Sequence, residues 1–489
     1  MEPLTAYLIA ISSVLILSIV VSKGAGRFGV PALSIFLLLG IVVGREGPGG
    51  FSFSNYQLAQ TLGILALIQI LHSGGLGTSL DDVRPVRGPA LVLSTIGVVV
   101  ATVLVGGFSV RFLHLDLLHG LLLGAAVSST DVAAVFTILR SRNVSLRGRI
   151  RPLLELESAL NDPMTVFLSV GLLQLIIDTH HSSIARLIPS FFEQMILGSL
   201  AGIGAGKASR WVINNSRLEF EGLYPVLSTA MVVLTYGVTQ AIGGSGFLAV
   251  YVSGIVLGNQ NYVYKRSLTV FHDGLAWLMQ ISMFLTMGLL VAPSELSRLA
   301  ISGIALSGFL VFVARPASVL LCLTPFRFSW RDQLMVSWAG LRGAVPIVVA
   351  TYPLIAGASS AQRLFNLVFF VVFISVLLQG TTIPMISRWL KVAAPIVQKF
   401  RYPIEYNPET SVKSELVEVP VPATSAVIGR SLVELALPAG SLIVLIRRGD
   451  DVLVPRGATE IAADDALLVL AEPEAIRSIR GIVNAMTTA

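Results

Sequence analysis

About thirteen stretches of mostly apolar residues divide the first 395 residues of the chain, many of them close to the ~20 residues that an α-helix needs to cross a bilayer. Within hydrocarbon a chain must satisfy its backbone hydrogen bonds internally, which favours helices. Charged residues make up only 13% of the sequence, about half of the ~25% typical of soluble domains. The sequence therefore predicts an α-helical polytopic membrane protein with about 13 transmembrane helices.

The density of charge changes after residue 395. The last 94 residues hold 21 of the 62 charged residues, a density typical of a soluble domain. Short alternating apolar runs there predict strands, with a helix near residues 473–484. We therefore predict a membrane domain over residues 1–395, a linker over 396–411 and a small cytosolic α+β domain over 412–489.

Lys and Arg are unevenly shared between the loops that join the predicted spans. Alternate loops hold 16 basic residues in one set and five in the other. Cytoplasmic loops of membrane proteins carry the excess of Lys and Arg. With an odd number of spans, this distribution predicts that the N-terminus lies outside and that the C-terminal domain is cytosolic.

Two predicted spans carry polar side chains near the middle of the bilayer, where burying a polar group costs free energy. The fifth span, at about residues 117–138, contains Thr130 and Asp131 in a run of hydroxyl side chains that compete for backbone hydrogen bonds and predict a broken helix. The sixth span places four polar groups on one helical face: Glu157, Ser158, Asn161 and Asp162. Such groups usually pair with one another or line a water-filled path.

The twelfth span, at about residues 333–355, carries Arg342 between glycines and shortly before a proline, which also predicts a break. A buried Arg stays charged and needs an anion, and Glu157 is the first candidate. The role of such a pair can be purely structural, in that it holds helices together. Arg315, near the cytosolic end of the eleventh span, can tune an inner funnel or pair with a carboxylate such as Glu155, and the sequence does not choose between these roles.

The suspected breaks lie seven spans apart. If spans one to six are repeated as spans eight to thirteen, each span is seven positions from its counterpart. Because seven is odd, the second unit crosses the membrane in the opposite direction. We therefore predict inverted repeats with broken crossing helices in spans five and twelve. Inverted repeats with paired broken helices around a midplane site are typical of secondary transporters.

Taken together, the polar motifs resemble the signature set of the monovalent cation:proton antiporter 1 family. The motifs are Thr-Asp at 130–131, Glu-Ser at 157–158 with Asn-Asp-Pro at 161–163, Gly-Ser-Gly-Phe-Leu at 244–248 and Leu-Arg-Gly-Ala at 341–344. The resemblance covers most of residues 1–395. It implies a secondary active antiporter of the bacterial inner membrane that exchanges a monovalent cation for H⁺ by alternating access, as a homodimer in the lipid bilayer.

The resemblance also implies roles for individual residues. Asp162 is the carboxylate that binds either the cation or a proton, and Asp131, Thr130 and Ser158 complete the cation site. Asn161 stands where electrogenic relatives have a second Asp, which implies exchange of one cation for one proton. By the same resemblance, Glu157 and Arg342 form a structural ion pair.

The predicted cytosolic domain resembles the C-terminal half of the regulator-of-potassium-conductance (RCK) domain across roughly residues 412–482. The motifs are Gly-Arg-Ser-Leu at 429–432, Pro-Ala-Gly at 438–440 and Arg-Arg-Gly at 447–449. This resemblance implies a dimeric regulatory module, either one that senses a small ligand such as a nucleotide or a dimer clamp without a ligand. It favours K⁺ over Na⁺ as the transported cation.

Two other transport functions compete with antiport. Related regulatory domains are attached to channels, but no Thr-Val-Gly-Tyr-Gly filter occurs in the chain. A cation-coupled symporter would need a cavity for an organic substrate, which the sequence neither shows nor excludes. We expect no enzyme activity and no resident cofactor, because the six His are scattered without metal-ligand spacing. We expect no nucleic-acid partner, because the net positive charge of the chain belongs to the predicted membrane domain.

Overall fold

The structure is a computed structural model that describes residues 5, 9, 12–21, 31–51, 53–178, 184–395, 414–449 and 451–484. The chain forms two compact units, Met1–Gln398 and Lys399–Ala489. The linker predicted over 396–411 lies outside the described residues, and the domain boundaries given by the sequence stay predictions.

The first unit is almost entirely helical. In its described residues the helices are, in chain order, α1 (Ser12–Val21), α2 (Ala32–Val43), α3 (Tyr56–Gly77), α4 (Leu80–Leu113), α5 (Leu117–Ala126), α6 (Val132–Ser141), α7 (Ile150–Ile177), α8 (Ile184–Asn215), α9 (Leu223–Ala241), α10 (Gly246–Gly258), α11 (Lys265–Leu289), α12 (Pro293–Arg298), α13 (Ala300–Phe326), α14 (Trp330–Trp338), α15 (Val345–Ile355) and α16 (Ala361–Trp389).

Seven helices in the described ranges are long and apolar enough to cross a membrane, by length and composition. They are α3, α4, α7, α8, α11, α13 and α16. Two pairs of shorter helices, α5 with α6 and α14 with α15, follow each other across short unwound segments. The predicted helical polytopic fold is confirmed, whereas the number of thirteen spans and the inverted repeat stay predictions.

The first unwound segment separates α5 from α6. The hydroxyl of Ser128 donates to the carbonyl of Ala125 at 2.7 Å. The carboxylate of Asp131 caps α6 by accepting the N–H of Ala134 at 3.0 Å. These local side-chain bonds replace helical ones, which explains why the hydroxyl-rich run ends one helix and starts another.

The second unwound segment separates α14 from α15. Gly340 and Gly343 lie within it, and Pro346 occupies the first turn of α15, where its missing N–H costs no hydrogen bond. Helix breaks are thus present at both of the places that the sequence predicts.

Helices outside the broken pairs pack closely through glycines. Gly75 of α3 and Gly254 of α10 face each other, and a Cβ on either one would lie within 3.1 Å of the other's Cα. Only glycine allows this approach, so α3 and α10 pack backbone to backbone beside the broken helices.

A two-stranded ribbon joins two distant parts of the first unit. Strand β1 (Val144–Leu146), in the connection between α6 and α7, pairs antiparallel with β2 (Ala393–Pro395), which follows α16. No pattern in the sequence predicts this ribbon.

The second unit contains a four-stranded antiparallel sheet. Its strands are β3 (Glu415–Pro420), β4 (Leu442–Arg448), β5 (Asp451–Leu453) and β6 (Ala466–Ala471), in the order β3-β6-β4-β5, followed by helix α17 (Pro473–Asn484). Ile446, Leu467 and Ile479 are fully buried in its core. The predicted small α+β domain is confirmed.

Candidate cation-binding site

The two unwound segments contact each other. The N–H of Asp131 donates to the carbonyl of Leu341 at 2.7 Å. A Cβ added at Gly343 would collide with the side chain of Asp131. The N–H of Arg342 donates to the hydroxyl of Ser375 on α16 at 2.9 Å. The breaks therefore form one hydrogen-bonded unit inside the membrane domain.

The guanidinium of Arg342 lies at the carbonyl end of α5. The side chain is buried, and its Nη1 donates to the carbonyls of Ser128 and Ser129, the latter at 2.7 Å. Free carbonyls at a helix C-terminus carry partial negative charge and favour a cation. The charge of Arg342 is therefore compensated by the carbonyls that the break releases.

The prediction that Glu157 pairs with Arg342 is wrong. Arg315 of α13 makes a bidentate pair with Glu157, with Nη1 to Oε1 at 2.7 Å and Nη2 to Oε2 at 2.9 Å, and both side chains are buried. Arg342 binds the α5 carbonyls instead. Gly340 leaves room for Arg315, since a Cβ there would lie 2.6 Å from Arg315 Nε.

The two residues predicted for a cytosolic funnel lie in different surroundings. Glu155 accepts a hydrogen bond from Arg151 Nε at 3.0 Å and lines a cavity that Asp131 and Asp162 also border. Arg315 does not pair with Glu155, and it is not among the described residues that line this cavity. The funnel assignment of Arg315 is therefore corrected, because its guanidinium neutralises Glu157.

Asp162 lies on α7, directly opposite the first break. Its Oδ1 accepts a hydrogen bond from the hydroxyl of Ser129 at 2.6 Å, and the side chain is buried. Among the described residues, no Lys or Arg makes a salt bridge with Asp162. Ser129 is not among the predicted site residues, although the hydroxyl run around it was the available signal.

The remaining predicted site residues lie beside Asp162. The hydroxyl of Ser158 donates to the carbonyl of Thr130 at 2.7 Å and accepts the N–H of Val132 at 3.2 Å. Asn161 Nδ2 donates to the Thr130 hydroxyl at 2.7 Å, and its Oδ1 is buried without a hydrogen-bond partner among the described residues. The structure thus brings together Thr130, Asp131, Ser158, Asn161 and Asp162.

A cavity of about 380 Å³ reaches this group. Asp131 and Asp162 contribute to its wall, and so do Arg140, Arg151 and Glu155 at the α6–α7 connection. Loop charges predict that this connection is cytosolic. The cavity therefore leads from the predicted cytosolic side to the carboxylates.

The fold and the site together define the class of this protein. Carboxylate, hydroxyl and carbonyl oxygens, the ligands that hard cations prefer, surround a cavity where two discontinuous helices cross within a polytopic helical fold. This is the arrangement of a secondary ion transporter.

Comparisons with known proteins give the family. The model of the transmembrane sodium/hydrogen exchanger family matches residues 11–389, and that of the TrkA-C domain matches residues 416–484. The chain belongs to the sodium/hydrogen exchanger family and carries a C-terminal TrkA-C domain. The resemblances found in the sequence are thereby confirmed.

Named relatives match nearly the whole chain. The K(+)/H(+) antiporter NhaP of Alkalimonas amylolytica is 37% identical over 474 residues, which are 96% of this chain and 82% of the relative. The K(+)/H(+) antiporter NhaP2 of Shewanella baltica is 39% identical over 470 residues, 95% of this chain and 81% of the relative.

The fold is also similar to a solved structure. The sodium proton antiporter MjNhaP1 from Methanocaldococcus jannaschii superposes with a TM-score of 0.68 at 24% sequence identity, and the match covers 80% of this chain and 99% of that one. At this identity, the match supports the fold alone.

Proposed function

We propose that this protein exchanges K⁺, in preference to Na⁺, for H⁺ across the bacterial inner membrane by alternating access. The observation that carries the proposal is Asp162, a buried carboxylate at a cavity wall without a basic partner among the described residues. The relatives named K(+)/H(+) antiporters support the choice of K⁺.

The exchange follows from the cost of an unpaired charge in a membrane. A bare Asp162 carboxylate crosses poorly, whereas one neutralised by H⁺ or by a monovalent cation crosses more easily. Ser129 donates to the bare carboxylate, and its hydroxyl can rotate to offer an oxygen lone pair to a cation. H⁺ and K⁺ thus compete for the same group, and no covalent step or cofactor enters the cycle.

A ratio of one cation to one proton is part of the proposal. Asn161, the neighbour of Asp162, does not titrate and holds Thr130 through its amide. Asp131 is engaged as the cap of α6. Backbone carbonyls compensate the charge of Arg342, and Glu157 and Arg315 neutralise each other. One carboxylate is thereby left to carry one charge in each direction, so the exchange is electroneutral.

The test is cation-dependent H⁺ movement in proteoliposomes, followed with a pH-sensitive dye after pulses of K⁺, Na⁺ or Li⁺. The wild-type protein should give the largest response to K⁺ without any added solute. Asp162→Asn should abolish the response, whereas Asp116→Asn, at a side chain that is 92% exposed, should leave it unchanged.

Near wild-type exchange by Asp162→Asn would contradict the assignment of this residue. A response that needs an organic solute would indicate a symporter. Cation flux without any H⁺ movement would indicate a channel.

The proposal includes an orientation and an assembly. The excess of Lys and Arg in alternate loops supports an outside N-terminus and a cytosolic C-terminal domain. We place the protein in the membrane as a homodimer, with the TrkA-C domain as the regulatory module and a nucleotide as its candidate ligand.

A further inference from the structure

The β1–β2 ribbon occupies a special place in the chain. Strand β1 is part of the short connection between α6, which Asp131 caps, and α7, which carries Asp162. Strand β2 ends at Pro395, the last described residue before the stretch that leads into the second unit. The ribbon therefore joins the connection between two site helices to the exit of the chain from the membrane domain.

The ribbon is firmly attached to the helices around it. Val144, Leu146 and Val392 are buried in the main hydrophobic core. The N–H of Arg147 extends the ladder by donating to the carbonyl of Val392 at 3.0 Å. Arg149, just beyond it, places its guanidinium 4.5 Å from the ring centre of Phe328. A displacement of β2 would therefore be passed to the α6–α7 connection.

We propose that the β1–β2 ribbon is the mechanical link through which the cytosolic domain controls exchange at Asp162. This inference rests on the proposed function. The ribbon joins β2, the last described segment before the C-terminal domain in the sequence, to the α6–α7 connection by hydrogen bonds.

The proposal has a simple energetic basis. Alternating access requires the elements that bear the site to move relative to the rest of the membrane domain. A conformation of the cytosolic domain that displaces β2 would favour one position of those elements over the other. The free-energy difference that this displacement produces between the two positions is the coupling that regulation needs.

The ladder register offers a matched pair of substitutions. Because Arg147 and Val392 form a hydrogen-bonded pair, the antiparallel alternation makes Ser145 and Ala394 the next such pair, with Ala393 between them in the non-hydrogen-bonded position. Ala394→Pro removes a ladder donor, whereas Ala393→Pro removes an N–H that points away from β1. Ser145→Pro breaks the same pair from the other strand.

The cytosolic domain is perturbed separately by Asp465→Ala in the full-length chain. The Asp465 carboxylate is fully buried and accepts from Arg448 Nε at 3.0 Å, Arg448 Nη2 at 2.9 Å and the N–H of Ala462 at 2.8 Å. This substitution removes these three hydrogen bonds within the second unit and changes no residue of the cation site.

The experiment combines these substitutions and measures the K⁺ concentration for half-maximal exchange in proteoliposomes. In the wild-type and Ala393→Pro backgrounds, Asp465→Ala should change this concentration about fivefold or more. In the Ala394→Pro and Ser145→Pro backgrounds, the same substitution should have almost no effect, because the link is broken.

Two results would overturn the inference: an equal effect of Asp465→Ala in all backgrounds, or no effect of Asp465→Ala in the wild-type background. Loss of exchange in Ala394→Pro and Ser145→Pro, with Ala393→Pro active, would also overturn it, because the ribbon would then be a structural part of the transporter. Failure of the proposed function is distinct, since the wild-type protein would then show no K⁺/H⁺ exchange.

Discussion

At the scale of single residues, the contact between Ser129 and Asp162 decides how the proposed exchange works. The hydroxyl lies 2.6 Å from Asp162 Oδ1. A hydroxyl both donates and accepts hydrogen bonds, so Ser129 can hold the bare carboxylate and also serve as a ligand of the cation. Its neighbour Ser128 instead bonds to Ala125 and Thr165.

Removing this hydroxyl should weaken cation binding. For Ser129→Ala we expect the K⁺ concentration for half-maximal exchange to rise about tenfold at constant pH, because hydrogen bonds and ligands to charged groups contribute ~1.5–3 kcal/mol. Ser128→Ala, which removes a neighbouring hydroxyl that bonds to Ala125 and Thr165, is the matched control and should raise this concentration much less. An equal rise in both variants would contradict a direct role of Ser129.

The partner of Glu157 shows what a sequence cannot specify at this scale. The need for a buried cation near Glu157 is readable from its charge and from the apolar span around it. The predicted spans contain two candidate arginines, Arg315 and Arg342, and the position of Arg342 near the middle of its span made it the expected partner. Only the fold shows that Arg342 donates to carbonyls at the end of α5 and that the missing side chain of Gly340 leaves space for Arg315.

A double-mutant cycle separates these pairings. Glu157→Gln or Arg315→Met alone leaves one charge buried and uncompensated, which should destabilise the protein by ~3–5 kcal/mol, whereas the double variant should recover much of that loss. Thermal unfolding of the purified protein measures the difference. A larger coupling between positions 157 and 342 than between 157 and 315 would refute the observed pairing.

At the scale of elements, the two helix breaks were predictable because their causes are local. The hydroxyl run before Asp131 competes for backbone hydrogen bonds, and the Gly and Pro around Arg342 weaken a helix directly. The way in which the breaks meet was not predictable, because the bond from Asp131 to Leu341 joins distant parts of the chain.

The close fit of the breaks makes Gly343 sensitive to substitution. Gly343→Ala should abolish exchange, because its Cβ would collide with the side chain of Asp131 and displace it. Gly107→Ala is the control, since a Cβ there meets nothing within 4 Å. Proteoliposome transport at matched protein amounts compares the two. An active Gly343→Ala would show that the contact between the breaks is not needed.

The β1–β2 ribbon was not predicted for a physical reason. Each strand has only three residues, too few to show an alternating pattern, and one of them ends in a proline. The pairing brings together residues 144–146 and 393–395, whose proximity depends on the packing of the whole membrane domain.

At the scale of the whole molecule, the contrast in charge between the two parts of the chain agrees with the two compact units in the fold. Helix length and loop charge predicted a polytopic protein with an orientation. The predicted orientation makes the cavity open to the cytosol, because Arg140 and Arg151 line it at a connection rich in basic residues.

Chemical labelling from one side of the membrane tests this orientation. In a Cys322→Ala background, Thr137→Cys at the cavity wall should react with a membrane-impermeant maleimide in inside-out vesicles and not in right-side-out vesicles. Asp116→Cys, in the opposite loop, should show the reverse pattern. Labelling of Thr137→Cys only in right-side-out vesicles would invert the proposed topology.

The most direct test of the central claim, one carboxylate shared by one cation or one proton, is the stoichiometry of exchange. K⁺ and H⁺ fluxes are measured together in proteoliposomes, with currents recorded on solid-supported membranes. We predict one K⁺ for each H⁺, no net current, and loss of both fluxes in Asp162→Asn. A sustained current, a ratio other than one to one, or fluxes that persist in Asp162→Asn would contradict it.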